Sequence, residues 1–209
     1  MKIFLASANS KKILEMQRIL TEHVPDIEVL GIGDIEGYDE PVEDQPTFEG
    51  NALLKARAGV AATGLPSIAD DSGLCVDAFN GMPGVLSARW SGPPMGDKRG
   101  ADERNNQLLL AQLHDVPDER RGAQFACAIA WVRADGRERV VEGCMPGRII
   151  HEVRGSGGFG YDVLFVADEH VEAGLTSAEL APGEKDRISH RGRALRELAP
   201  YVAADLSAG

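Results

Sequence analysis

Cysteine is scarce in this 209-residue sequence: Cys75, Cys127 and Cys144 are an odd set with no Cys-x-x-Cys spacing. That excludes a disulfide framework and a zinc ribbon, and it points to a reducing, cytoplasmic compartment. Each of the three sits among apolar or small residues, so all are expected as core filler. Long hydrophobic runs are missing too. The apolar start Met1–Ala6 is too short for a signal peptide, and no window approaches the length that spans a bilayer, so no membrane partner is expected. Positive charge is in deficit, with 22 Lys and Arg against 33 Asp and Glu and a net charge of −11. A nucleic-acid binder needs a basic face, so that class of partner is set aside. Internal repeats and low-complexity tracts are absent, and with them solenoids and disordered arrays.

What is there reads as an ordinary globular chain whose residues 1–209 suit one large domain or two small lobes. Its centre is Ile68-Ala69-Asp70-Asp71-Ser72-Gly73-Leu74. The preceding run Leu65–Ala69 reads as a short buried strand, and the two carboxylates fall at its end. Adjacent acids repel unless something compensates them. A hard divalent cation does so well, because Mg²⁺ prefers carboxylate oxygens and keeps waters and phosphates as its other ligands. A plain Asp-Ser-Gly turn is the competing reading.

Ahead of this centre, Ile3–Ala6 reads as a buried strand, followed by Ser7-Ala8-Asn9-Ser10-Lys11-Lys12 and a helix from Lys11 to Thr21. A strand, a small polar loop and a helix start can bind phosphate through first-turn N–H groups and the helix dipole. A simple N-cap with solvated lysines reads equally from these residues, and the glycines of a Walker loop are missing. A second strand is expected over Ile27–Ile32, then an acidic, solvated stretch from Asp34 to Asp44. Thr47 looks like the N-cap of a helix running to Ala62, stopped by Gly64 and Pro66. Lys55 and Arg57 on that helix could face a phosphate site, with solvent exposure as the default.

Beyond the acid pair, Leu74–Ala78 is a further apolar run, and Gly81–Val85 is a turn. Arg89-Trp90 places a cation beside an aromatic. Ser91–Gly96 is the candidate flexible loop or lid. A helix is expected over Asp102–Leu113, then a strand Gln124–Val132 turning at Asp135-Gly136 into Arg139–Gly143, with Gly147–Ile150 continuing as a strand. Gly155–Asp162 holds four glycines within eight residues with two aromatics, so Phe159 or Tyr161 can stack on a flat ring. Val163–Val166 resumes as an apolar run, Thr176–Glu179 fits a capping box, and Lys185–Val202 reads as one helix.

Six stretches, in order, resemble the inosine/xanthosine triphosphate pyrophosphatase family: Ser7–Lys12, Thr47–Ala56, Ile68–Leu74, Pro83-Gly84 with Ser87–Trp90, Gly157–Asp162 and Ser189–Gly192. The resemblance implies an α/β fold, a long central mixed sheet flanked by helices, in two lobes with the nucleotide site in the cleft between them. It implies a homodimer. It makes Asp71 the proton acceptor and a Mg²⁺ ligand, with Glu43 as the second metal carboxylate. Ser7, Ala8, Asn9, Ser10, Lys11 and Lys12 correspond to the triphosphate loop, Ser72 to a substrate contact, Phe159, Gly160, Tyr161 and Asp162 to the base loop, and Lys185, His190 and Arg191 to the remaining nucleotide contacts. Two positions depart from the family pattern. Ser7-Ala8 replaces Thr-Gly, and Gly50 stands where a Glu precedes the Asn of the Asn-Ala motif.

The implied reaction is hydrolysis of ITP, dITP or XTP to the monophosphate and pyrophosphate. Asp71, with Asp70 nearby, would orient or deprotonate water while Lys12 and helix N–H groups hold the phosphates. Arg191, His190 and N–H groups of Gly158–Tyr161 are the candidate donors to the keto oxygen at C6. Three rivals stand beside it. They are a phosphomonoesterase working through an aspartyl-phosphate, a nucleotide sensor that does not cleave, and a sister pyrophosphatase acting on modified pyrimidines.

Overall fold

The computed structural model describes residues 1–36, 38–93 and 98–207, with the side chains of Ser10, Lys11, Lys98 and Pro182 also outside the description. The ends of the acidic stretch are therefore seen without Gly37, and of the candidate lid Ser91–Gly96 the residues Pro94, Met95 and Gly96 lie outside the described residues. Six strands make one mixed sheet in the order β2-β1-β3-β4-β5-β6. They are β1 (Lys2–Leu5), β2 (Glu28–Leu30), β3 (Ser67–Val76), β4 (Gly122–Val132), β5 (Glu138–Ile149) and β6 (Phe165–Ala167). β1 runs parallel to β2 and to β3, with Phe4 opposite Ser67, while β5 and β6 are antiparallel. The helices are α1 (Ser10–Thr21), α2 (Phe48–Thr63), α3 (Lys98–Gln112), α4 (Pro182–Ile188) and α5 (His190–Ser207). The expected mixed α/β class is thus what the chain adopts. Among the described residues, no helix is long and apolar enough to cross a membrane.

The chain divides into two compact units. The first comprises Met1–Asp71, Cys127–Gly143 and Arg191–Gly209. Its strands bury alternate residues on two faces, as the pleat requires. Ile3, Leu5 and Ile68 pack with Met16, Ile19 and Leu20 of α1 and with Leu195 and Leu198 of α5. Phe4, Ala6 and Ala69 face the other way, against Ala52 and Ala56 of α2. Helix α2 starts where the sequence says it should: the Thr47 hydroxyl accepts from Gly50 N at 3.0 Å. Such a cap contributes about 1 kcal/mol. The same helix ends on left-handed Gly64 (φ 68°).

The second unit comprises Ser72–Ala126 and Cys144–His190. Its core joins Leu74 and Val76 of β3 to Leu109 of α3 and Leu113 just beyond it, Phe125 of β4, Met145 and Ile149 of β5, and Phe165 of β6. Arg121, buried, closes one end of this core. Its guanidinium donates to the carbonyls of Leu113, Ile149 and Ile150 at 2.8, 2.9 and 3.1 Å.

Four expectations are corrected. The acid pair does not end a strand: β3 runs unbroken from Ser67 to Val76. Turn-forming Asp, Ser and Gly stay extended there because they lie within β3, an interior strand of the sheet that starts on β1 and neighbours β4. The C-terminal helix is two helices, broken at Ser189, whose ψ of 145° is extended. Helix α3 begins at Lys98, a turn earlier than its leucines indicate. Cys144 is exposed, unlike buried Cys127 and half-buried Cys75. On β5 the inward face at that point belongs to Met145, so its neighbour must point out.

Candidate active site

Asp70 and Asp71 are consecutive residues of one strand, so their side chains leave it on opposite faces. The repulsion that their adjacency suggests is thereby reduced, and each acid acquires its own surroundings. Asp70 turns toward α1 and α5. Lys12 Nζ reaches both of its oxygens at 2.9 Å, and Arg191 Nε donates to Oδ2 at 3.1 Å. Burial pushes the Asp70 carboxyl up, but Lys12, Arg191 and Lys55 outweigh it and hold the group far below the ordinary carboxylate range. Asp70 is therefore a buried, permanently ionised anchor for two cations.

Asp71 turns toward α2. Asn51 Nδ2 donates to its Oδ2 at 2.9 Å, and Lys55 Nζ lies 3.9 Å from its Oδ1. The same Lys55 ammonium donates to Glu43 Oε1 at 2.5 Å. Burial pulls Lys55 down, but Glu43, Asp70 and Asp71 prevail and keep it charged. The Asn51 amide is itself fixed, because its Oδ1 accepts from Gln45 N at 3.0 Å. One carboxylate from the acidic stretch and one from β3 are thus gathered around a single ammonium. Beside them, at the start of α1, the Ser7 hydroxyl accepts from Asn9 N at 3.2 Å, and the Asn9 carbonyl takes the first helical bond, from Ile13. The first turn of α1 carries no acid.

The second unit holds the glycine-rich segment. Asp162 Oδ2 accepts from Phe159 N at 2.8 Å and also pairs with Lys185 Nζ. Gly158 has φ 72°, and a Cβ there would meet that same carboxylate oxygen at 2.2 Å, so only glycine fits. Phe159 is 50% exposed, and Lys185 Nζ lies 5.3 Å from its ring centroid. Tyr161 is buried instead. Its hydroxyl donates to the Ser87 carbonyl at 2.9 Å, and burial followed by Asp102 pushes that hydroxyl well above its usual pKa. Of the two aromatics, then, Phe159 offers a face for stacking and Tyr161 is core. The His190 ring stacks on Phe125 at 5.3 Å and 13°.

The structure places the expected residues as follows. Lys12, Asp70, Asp71, Glu43 and Arg191 converge in the first unit, and Phe159, Asp162 and Lys185 in the second. Ser7 is buried at the foot of α1, Ala8 is exposed, and Ser72 is half-buried in β3. Gly160 lies in the same segment as Phe159, opening a 3-10 turn. Ser10 and Lys11 open α1, with side chains outside the described residues. Several candidate C6 donors are already engaged: Arg191 Nε by Asp70, Phe159 N by Asp162 and Gly160 N by Asp102. Arg57 pairs with Glu138 at the surface, as expected of a solvated residue, and Trp90 Nε1 donates to Gln112. The departure at Gly50 has a steric reason, since a Cβ there would sit 2.8 Å from Gln45 Cβ.

Asn51 was not expected here, and Lys55 takes the lesser of its two expected places, facing the site rather than solvent. Both interleave with Ala52 and Ala56, buried residues of α2, and a polar pair four apart on an apolar stripe was the signal. Asn105 and Asn106 on α3 were missed likewise. Asn is a poor helix former, so two in succession inside a helix need a partner to justify them.

A family model described as the Ham1 family matches residues 3–201. The chain belongs to the Ham1 family. It is 56% identical over 204 residues to a dITP/XTP pyrophosphatase of Nocardia farcinica, covering 97% of this chain and 95% of the relative. Among solved structures it is similar to a nucleoside-triphosphatase / dITP/XTP pyrophosphatase of Mycobacterium abscessus, at 53% identity and TM-score 0.77, covering 96% and 100% of the two chains. It is also similar to a HAM1 protein of Coxiella burnetii, at 38% identity and TM-score 0.86, covering 98% and 99%. The six-motif resemblance and the mixed-sheet architecture agree with this membership.

Proposed function

We propose that this Ham1 family protein hydrolyses the non-standard purine nucleoside triphosphates ITP, dITP and XTP to the monophosphate and pyrophosphate. The observation that carries the reading is the unequal treatment of the two adjacent acids. Asp70 is consumed by Lys12 and Arg191, whereas Asp71 is oriented by one amide and set beside Glu43 and Lys55. The names of relatives above 50% identity support the substrate class.

Asp71 is the group that takes the proton of the attacking water. Asn51 fixes its orientation, and the Lys55 ammonium steadies negative charge beside it. Lys12 and the first-turn N–H groups of α1 hold phosphate oxygens, with Ser7 and Asn9 shaping the approach. The donor set of Glu43 and Asp71 fits Mg²⁺: hard oxygen atoms, two in number, leaving places for water and phosphate. When bound, the ion offsets charge developing on the phosphate oxygens. Phe159 supplies the stacking face for the base, with Asp162 and Lys185 holding that segment. Homodimer formation follows from the resemblance alone. A cytoplasmic site of action is supported by three free thiols.

The test is a panel of nucleoside triphosphates with Mg²⁺ and analysis of pyrophosphate against phosphate. ITP, dITP and XTP should yield pyrophosphate, with kcat/KM roughly 10⁴-fold above ATP, the range that hydrogen-bonded pockets reach. Comparable kcat/KM for ITP and ATP overturns the specificity. Phosphate as the product, or a trapped aspartyl-phosphate, overturns the reaction.

A further inference from the structure

Helix α3 carries two side chains that no step above uses. Asp102 and Asn106 are four residues apart and so lie on one face of the helix. Asp102 Oδ2 accepts from Gly160 N at 2.8 Å, and Asn106 Nδ2 donates to the Gly160 carbonyl at 2.9 Å. Both polar groups of one loop residue are therefore taken by a single helix face. Gly160 has φ 60°, a conformation its own chain does little to enforce, and it follows directly on Phe159. Asn106 is buried, and its Oδ1 is buried with no hydrogen-bond partner among the described residues. The amide is retained at that desolvation cost, and the bond it supplies in return is the one to the Gly160 carbonyl. The intervening Asn105 anchors the same helix by donating to the Ser87 carbonyl at 3.2 Å and accepting from Ser91 N at 2.8 Å.

We infer that Asp102 and Asn106 are positioning residues that clamp Gly160 and so aim the Phe159 ring at the purine, making α3 a determinant of base selection. The inference rests on the proposed pyrophosphatase reading for its substrate. The clamp acts on the base and not on the phosphates, so its loss should appear in KM and in base preference, with kcat little changed.

The test compares Asp102→Ala, Asp102→Asn and Asn106→Leu with the unmodified protein, using ITP, ATP and inorganic tripolyphosphate. Asp102→Ala and Asn106→Leu should raise KM for ITP about tenfold and lower the ITP-over-ATP ratio by a similar factor. Inhibition by tripolyphosphate and kcat should stay within about twofold. Asp102→Asn keeps an acceptor oxygen and should restore KM. Amide hydrogen exchange at Gly160 should accelerate in Asp102→Ala and not in Asp102→Asn. If Asn106→Leu fails to fold, Asp102→Ala carries the same test from a half-buried position. Unchanged KM, base ratio and Gly160 exchange in an active, folded Asp102→Ala would overturn the clamp. Failure of the unmodified protein to cleave any purine triphosphate would instead overturn the reading of the site on which the clamp depends.

Discussion

The acid centre of the first unit and the glycine-rich segment of the second are held by opposite means. Around Asp70 and Asp71 bonds join one charged or amide side chain to another, as in Lys12–Asp70, Arg191–Asp70, Lys55–Glu43 and Asn51–Asp71. Around Gly160 the bonds run from side chains to backbone, as in Asp162 to Phe159 N, Asp102 to Gly160 N, Asn106 to Gly160 O and Tyr161 to Ser87 O. A region that handles phosphate needs fixed charge, and ion pairs in a low-dielectric setting fix it strongly. A region that accepts a flat, neutral ring needs fixed shape, and side chains bonded to backbone groups supply it, with the Asp162 carboxylate paired to Lys185.

The contrast can be broken at its charged end with the largest effect. Asp71→Asn keeps the size of the side chain and removes its basicity. Turnover should fall about 10²–10⁴-fold with the fold intact, read by steady-state kinetics beside circular dichroism. Near-normal turnover would remove Asp71 from the chemistry.

Asp70→Ala sharpens the difference between the two acids. It strands half-buried Lys12 and buried Arg191, which lose their shared counter-charge. Breaking such a buried pair costs about 3–5 kcal/mol, to be measured by urea unfolding. If Asp71→Asn destabilised the protein more than Asp70→Ala, the assignment of anchor and base would be reversed.

At the shape-holding end the effect is smaller. Phe159→Ala should weaken ITP by the value of one base stack, about 1–3 kcal/mol, seen as a tenfold to hundredfold rise in KM. Competition by inorganic tripolyphosphate should be unaffected. Equal losses for ITP and tripolyphosphate would mean that the ring serves the phosphates as well, and the division between charge and shape would fail.

The charged end was the more legible of the two in the sequence. Periodicity located α1 and α2, Thr47 and Gly64 marked the ends of α2, and the Asp-Asp pair marked the centre. Continuity of β3 was hidden because local turn propensity at Asp71-Ser72-Gly73 is overridden by the strand's place inside the sheet, between β1 and β4, a tertiary effect no window contains. Lys55 read as solvated because a lone lysine normally is. Its burial depends on Glu43, twelve residues away across an irregular segment. The helix break at Ser189 was masked by apolar spacing that continues from Ile188 into α5. Asp102 and Asn106 were illegible because their partner is a backbone peptide 58 and 54 residues distant, and backbone groups leave no trace in residue identity.

The alternation of β3 has a consequence for how such a chain can change through insertion and deletion. Adding or removing one codon within the strand ahead of Asp70 would turn every later side chain to the other face. Asp70 would then point at α2 and Asp71 at Lys12 and Arg191. The two carboxylates are chemically identical, so composition would be preserved and the protein would still read Asp-Asp, with both acids facing the wrong partners. Insertions of two residues restore the facing but shift Asp70 and Asp71 along the strand by roughly 7 Å, out of reach of Lys12 and Asn51. Length changes that keep both acids on their partners therefore belong in the loops, and the spacing from β3's start at Ser67 to Asp71 behaves as a fixed ruler.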